Sequence, residues 1–138
     1  MVSSETNRSR VLVVDDEPAI CRLIALVLQE EGYEVTAAPS GKVALAEAAA
    51  ALPAIVLLDL MMPEMSGQET LARLRELPGG GGVPVIIMSA AVVMAEQIEG
   101  VQGILTKPFD LSDLVLSVDR IVDRPNRGTP SRHLMRER

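Results

Sequence analysis

Residues 11–32 read VLVVDDEPAICRLIALVLQEEG and predict one strand followed by one helix. The apolar, β-branched run VLVV at 11–14 is typical of a strand buried on both faces, because polar and apolar residues do not alternate in it. Two aspartates end this strand, and Pro18 suits the first turn of a helix. Apolar residues then recur every three to four positions from Ile20 to Leu28, and Gly32 ends the helix.

The same strand–helix alternation continues along the chain. Further strands are predicted at 33–38, 54–59, 83–89 and 103–106, and further helices at 41–51 after a Ser40 cap, 68–77, 90–99 and 110–123. Pro78 and the four glycines of 79–82 predict a flexible connection before the fourth strand. Because parallel strands need crossover connections, this order predicts an α/β fold with a parallel sheet and helices on both faces.

Composition favours one globular domain in a reducing compartment. The chain has 138 residues, 48% apolar and 23% charged. Its single cysteine, Cys21, cannot close an intrachain disulfide or build a zinc site alone, and we interpret it as a packing residue. The N-terminal residues are polar, without the apolar h-region of a signal peptide, and no apolar run approaches the ~18 residues of a membrane span. We therefore expect a cytoplasmic protein with no membrane partner.

Charge is distributed unevenly along the chain. Residues 1–123 carry 8 basic and 18 acidic residues, whereas residues 124–138 carry five arginines and one glutamate. An acidic body repels a phosphate backbone, and Tyr33 and Phe109 are its only aromatic residues, so we expect no direct nucleic-acid binding.

Three segments are predicted: a flexible leader at 1–9, a domain at 10–123 and a disordered basic tail at 124–138. Because no DNA-binding domain follows residue 123, we expect a stand-alone domain. The tail is either a solvated end or an electrostatic contact for an acidic partner.

Polar side chains collect where the predicted strands end. Asp15 and Asp16 follow the first strand, Asp59 ends the third, Ser89 the fourth, and Lys107 follows the fifth. In an open parallel sheet the functional crevice lies beyond these carboxyl ends. Clustered carboxylates repel unless a cation joins them, and hard oxygen ligands suit Mg²⁺. With a lysine and a hydroxyl nearby, this set permits attack by an aspartate on a phosphoryl group.

Four motifs in order resemble the receiver domain of bacterial two-component response regulators. They are VLVVDDEP (11–18), LLDLMMPEMSG (57–67), IIMSA (86–90) and ILTKPF (104–109), and the resemblance covers residues 10–123. It implies a flavodoxin-like, doubly wound sheet of five parallel strands in the order 2-1-3-4-5. It also implies a phosphorelay protein that receives its phosphoryl group from a histidine kinase or phosphotransfer protein and signals to a downstream protein that the sequence does not identify. Such a protein catalyses only its own phosphorylation and slow autodephosphorylation.

The resemblance assigns a role to each site residue. It implies that Asp59 is the phosphoacceptor. It implies Asp16, Asp59 and the backbone carbonyl of Met61 as direct Mg²⁺ ligands, and Asp15 as a ligand through water. It also implies Ser89 as the switch hydroxyl, Lys107 as the partner of the phosphoryl group, and a cis bond before Pro108. We interpret the nearby Met61, Met62 and Met65 as packing residues, because Mg²⁺ does not favour thioether sulfur.

Two features depart from the family pattern. Ile104 stands where a Tyr or Phe is usual, and Gly100 follows Ser89 by only 11 positions, so the fourth helix is expected to be about one turn short. Both changes fall on the face that the family uses for output and predict weak conventional switching.

Other interpretations stay open. Each aspartate alone fits a turn or helix cap, and Ser89 alone fits a cap of the next helix. A receiver-fold scaffold that works without phosphorylation is one alternative function. A hydrolase or nucleotide-binding protein is another, but G-x-G-x-x-G, the P-loop motif and a D-x-D pattern are absent.

Overall fold

The computed structural model describes residues 9–122, and its five strands form one parallel sheet in the order β2-β1-β3-β4-β5. The strands are β1 (Arg10–Val14), β2 (Glu34–Ala38), β3 (Ile55–Asp59), β4 (Val85–Ser89) and β5 (Gly103–Thr106). This confirms the predicted fold class and strand order. The structure does not describe residues 1–8 and 123–138, so the leader predicted at 1–9, apart from Ser9, and the basic tail predicted at 124–138 lie outside the described residues.

Within residues 9–122, five α-helices cover the sheet on both faces. They are α1 (Pro18–Glu30), α2 (Gly41–Ala50), α3 (Gly67–Glu76), α4 (Val92–Glu96) and α5 (Leu111–Val122). One core packs α1 and α5 against alternate strand residues such as Val11 and Val13, and the other packs α2, α3 and α4 against Leu12 and Val14. Within the described chain, no helix is long and apolar enough to cross a membrane.

Local signals explain where the helices begin and end. Pro18 is the first residue of α1, and Gly32, with φ of 98°, follows its end. The Ser40 hydroxyl accepts a hydrogen bond from the backbone N–H of Val43 (3.1 Å), which confirms the predicted cap of α2. Ser66 caps α3 in the same way, a cap that the sequence analysis missed, and such caps are each worth about 1 kcal/mol.

The fourth helix and the glycine connection can be compared with their sequence-based predictions. The fourth helix, predicted over 90–99, spans only Val92–Glu96, which confirms that it is short. Ala95 is its one buried residue, so tertiary packing does little to extend it. The glycine connection, expected to be flexible, instead forms a 3₁₀ turn at Gly80–Gly82 that starts from Gly79 with φ of 78°.

Strand register aligns the polar strand ends. Leu58 of β3 pairs with Val14 of β1, so Asp59 and Asp15 lie side by side one residue further on. Asp59 pairs with Met88 of β4, and Thr106 of β5 pairs with Ser89. The next residue after Thr106, Lys107, therefore enters the same rim.

Gly67 allows α3 to start against the end of β3. Its backbone N–H donates to the carbonyl of Leu60 at 3.0 Å. A Cβ atom at this position would lie 2.4 Å from the carbonyl oxygen of Asp59 and 2.8 Å from the Cα of Leu60. Both are backbone atoms, which cannot move aside as a flexible side chain can. The absence of a side chain at residue 67 thus helps to fix Asp59.

We predict that Gly67→Ala lowers the free energy of unfolding by about 2 kcal/mol, because the added methyl group overpacks the end of β3. Gly82→Ala is the matched control, since a Cβ atom there meets nothing within 4 Å. It should change stability by no more than about 1 kcal/mol. Urea denaturation measures both values, and equal losses in the two variants would contradict the close approach.

Candidate functional site

Asp15 is fully buried at the carboxyl end of β1, and both of its carboxylate oxygens accept hydrogen bonds. Oδ1 accepts from the backbone N–H of Glu17 at 3.0 Å, and Oδ2 accepts from the ammonium of Lys107 at 2.8 Å. Beneath it, the Cys21 thiol donates to the backbone carbonyl of Asp15 at 3.3 Å. Asp15 therefore serves as a fixed, negatively charged support for Lys107.

Asp59 lies beside Asp15 and is 4% exposed. Burial, followed by the charge of Asp15, raises the pKa of Asp59, while the ammonium of Lys107 and a backbone hydrogen bond from Met61 partly counter the rise. The Asp59 carboxylate is consequently more basic than a solvated one, and its negative charge is only partly compensated.

Lys107 connects the two carboxylates. Its Nζ lies 2.8 Å from Asp15 Oδ2, 3.4 Å from Asp59 Oδ1 and 3.9 Å from Glu17 Oε1. Its backbone N–H donates to the carbonyl of Ser89 at 2.9 Å, which fixes the start of the side chain. Burial lowers the pKa of Lys107, but the hydrogen bond to Asp15 and the charges of Asp15 and Asp59 outweigh burial and raise it. Lys107 is therefore a cation at neutral pH.

Three carboxylates form an acidic cluster, defined here as Asp15, Asp16 and Asp59. One oxygen of each lies within 4.8 Å of one oxygen of each of the others. Asp15 and Asp59 are buried and Asp16 is exposed, so the cluster opens to solvent on one side. One lysine cannot neutralise three carboxylates, and an all-oxygen donor set fits Mg²⁺ or another hard divalent cation.

Ser89 is 1% exposed, and its hydroxyl oxygen accepts a hydrogen bond from the backbone N–H of Ala91 at 2.8 Å. Ala91, and not Ser89, occupies the N-cap position of α4. The capping interpretation of Ser89 is thus wrong in detail, because its hydrogen bond forms a local turn that precedes the helix. This bond ties the rim of the sheet directly to the segment that starts α4.

The packing interpretation holds for some thiol and thioether side chains and not for others. Cys21 is buried in the core beneath α1, and burial raises the pKa of its thiol. Met62 packs against the α2–α4 core. Met61, by contrast, is 60% exposed, so packing does not explain its side chain.

The peptide bond between Lys107 and Pro108 is cis, as predicted.

Sequence reasoning missed Glu17. Its carboxylate reaches to 3.9 Å from Lys107, although its side chain is 64% exposed. Residues just beyond a strand end follow no periodic pattern that would show where a long side chain points. Only the adjacency of Glu17 to Asp15 and Asp16 could have suggested a place at this rim.

The sequence model of the response regulator receiver domain matches residues 11–119. This chain belongs to that family. Transcriptional regulatory protein KdpE of Mycobacterium tuberculosis is 37% identical over 118 residues, which cover 83% of this chain and 51% of the relative. The receiver thus spans about half the length of the curated transcriptional regulators it matches.

Solved structures agree with this assignment. Chemotaxis response regulator CheY4 of Vibrio cholerae has a TM-score of 0.78 and 30% identity, covering 83% of this chain and 99% of that one. Response regulator TrrA of Thermotoga maritima, solved in complex with Mg²⁺–BeF, has a TM-score of 0.74 and 31% identity, covering 82% of this chain and 98% of that one.

We predict that Lys107→Met destabilises the receiver by about 3 kcal/mol at neutral pH without added metal, because it leaves buried carboxylates unpaired. Since the folded-state pKa of Asp59 lies above its ordinary value of 3.8, this group favours folding at acid pH and opposes it once ionised. The cost of losing Lys107 should therefore shrink as the pH falls toward about 4. Urea denaturation at both pH values measures it. Lys42→Met, at an exposed position on α2, is the control, and an equal loss in that variant would contradict the role of Lys107.

Proposed function

We propose that this receiver accepts one phosphoryl group on Asp59, from a histidine kinase or phosphotransfer protein, in a Mg²⁺-dependent reaction. It then signals through altered contacts with another protein. The observation that carries this proposal is the setting of Asp59, a buried carboxylate that lies next to Asp15 and Asp16 and 3.4 Å from the Lys107 ammonium. We also propose 10–123 as the domain boundaries, in accord with the family match to 11–119.

The acidic cluster has the donor chemistry that Mg²⁺ needs. Asp16 and Asp59, with the backbone carbonyl of Met61, would hold the ion directly. Asp15 would contribute through water, because both of its oxygens already accept hydrogen bonds from Glu17 and Lys107. When bound, Mg²⁺ offsets the mutual repulsion of the carboxylates and the charge on phosphoryl oxygens.

Asp59 acts as the nucleophile. One of its carboxylate oxygens forms a bond to phosphorus while the bond between phosphorus and the donor's histidine nitrogen breaks, and that nitrogen keeps the electron pair. The raised pKa of Asp59 makes its carboxylate a better nucleophile once ionised. Lys107, held by Asp15, is placed to contact an oxygen of the transferred group.

Ser89 supplies the response. Its hydroxyl accepts from Ala91, which leaves its own proton free to be directed toward a phosphoryl oxygen on the neighbouring strand. Ile104, half-buried against the α2–α4 core, has no aromatic ring to exchange a solvated for a buried position. We therefore propose that the output is smaller at β5 than in receivers with an aromatic residue there.

We predict that a small phosphodonor with Mg²⁺ adds one phosphoryl group to the protein and that Asp59→Asn abolishes the addition, because the amide is not a nucleophile. Intact-mass analysis counts the groups added. Asp113→Asn, an exposed carboxyl on α5, should label like the wild type. Labelling that persists in Asp59→Asn would place the acceptor elsewhere, and no labelling of the wild type would favour the phosphorylation-independent scaffold.

Millimolar Mg²⁺ should raise the melting temperature of the wild type by about 2–8 °C, because binding to the folded state alone stabilises it. Asp16→Ala should lose most of this rise, since it removes a direct ligand. Differential scanning fluorimetry with the Asp113→Ala control measures the effect. A rise of equal size in Asp16→Ala would show that the ion binds at another site.

A further inference from the structure

Arg75, near the end of α3, joins two connections that are separate in sequence. Its guanidinium donates through Nη1 to the carbonyls of Gly80 (2.9 Å) and Val83 (2.7 Å), and through Nη2 to the carbonyl of Gly100 (2.8 Å). Gly80 and Val83 belong to the glycine turn before β4, whereas Gly100 lies in the connection from α4 to β5. One side chain thus holds three backbone carbonyls.

Arginine suits this task because its planar guanidinium offers several donors in a fixed fork and keeps its charge. Hydrogen bonds from a charged donor are also stronger than those between neutral groups. Arg73, two residues earlier on the same helix, makes no such contact with the described residues: it is exposed and pairs with Glu69 at 3.2 Å within the helix.

The anchoring matters because α4 is weakly attached by its own packing. Of its five residues, only Ala95 is buried. Just before the helix, the hydroxyl of Ser89 holds the backbone N–H of Ala91, and just after it Arg75 holds the carbonyl of Gly100. The α4 segment, defined here as residues 91–100, is therefore tied down near both ends by side chains from outside it.

We infer that Arg75 is a positioning residue that fixes the Gly100 end of the α4 segment to α3. Because Gly100 is held to the body, a change at Ser89 displaces the Ala91 end of the segment and leaves the Gly100 end in place. This second statement rests on the proposed function, since it needs Ser89 to respond to a group on Asp59. The first statement concerns the unmodified protein and stands without it.

Amide hydrogen exchange of the unmodified protein tests the anchor directly. Two backbone N–H groups serve as reporters. That of Val83 donates to the carbonyl of Gly80, which Arg75 also holds, and that of Gln102, two residues after Gly100, donates to the carbonyl of Val85. In Arg75→Met they should exchange at least about tenfold faster than in the wild type, and in Arg73→Met within about twofold of it. If Arg75→Met does not fold, Arg75→Lys keeps the charge but offers one ammonium in place of the fork and should still speed exchange. Rates unchanged in the folded Arg75 variant, or equally raised in Arg73→Met, would overturn the anchor.

The second arm adds Mg²⁺ and beryllofluoride, a phosphoryl mimic. In the wild type, exchange should change at residues 89–92 and stay within about twofold at 100–102, whereas in the Arg75 variant the change should extend to 100–102. Changes at 100–102 in the wild type as large as those at 89–92 would overturn the inference that the Gly100 end stays in place. If no amide near Asp59 or Ser89 responds in any variant, the proposed function fails, and the first arm still decides whether Arg75 is an anchor.

Discussion

The pairing of Lys107 with the buried carboxylates of Asp15 and Asp59 is the contact on which the site depends. Three strands must end at the same level for these side chains to meet, and the parallel register of β1, β3, β4 and β5 provides that level. Asp15 carries no exposed surface, so its charge is tolerable only because Lys107 and a backbone N–H contact it. The fold and the site are thus parts of one electrostatic arrangement.

The acidic cluster carries more negative charge than Lys107 can neutralise. The lysine compensates Asp15 well, but Asp59 keeps a raised pKa, and Asp16 adds a third carboxylate at the open side. An excess of negative charge in a fixed oxygen cluster is a source of affinity for a hard cation. It is also a cost to the empty fold, which connects stability with the occupancy of the site.

Much of this could be predicted from the sequence. Continuous apolar runs that end in Asp15, Asp59 and Ser89 gave the strands and the rim, because buried parallel strands have a distinctive pattern and their carboxyl ends share one edge. Contacts set by side-chain direction could not be predicted. Glu17, Met61 and Arg75 all lie outside regular strands or on partly exposed helix positions, where no periodicity shows whether a long side chain turns toward the body or toward solvent.

The α4–β5 side of the sheet shows the same limit. Counting residues predicted a short α4, but it did not predict that Ser89 and Arg75 would hold the segment on either side of the helix. A five-residue helix with one buried residue has little intrinsic stability, so its position depends on these outside contacts. Ile104, packed against the same core, adds apolar contact there without a polar group that could report a change.

Asp59 is a buried carboxylate whose charge Lys107 only partly balances, and it therefore favours a nearby cation. Carbon-13 NMR of the aspartate carboxyl groups, titrated with acid in the absence and presence of Mg²⁺, measures this directly. We expect the pKa of Asp59 to lie above its ordinary value of 3.8 without metal and to fall when Mg²⁺ is added. An Asp59 pKa at or below that ordinary value without metal, or one that Mg²⁺ does not move, would contradict it.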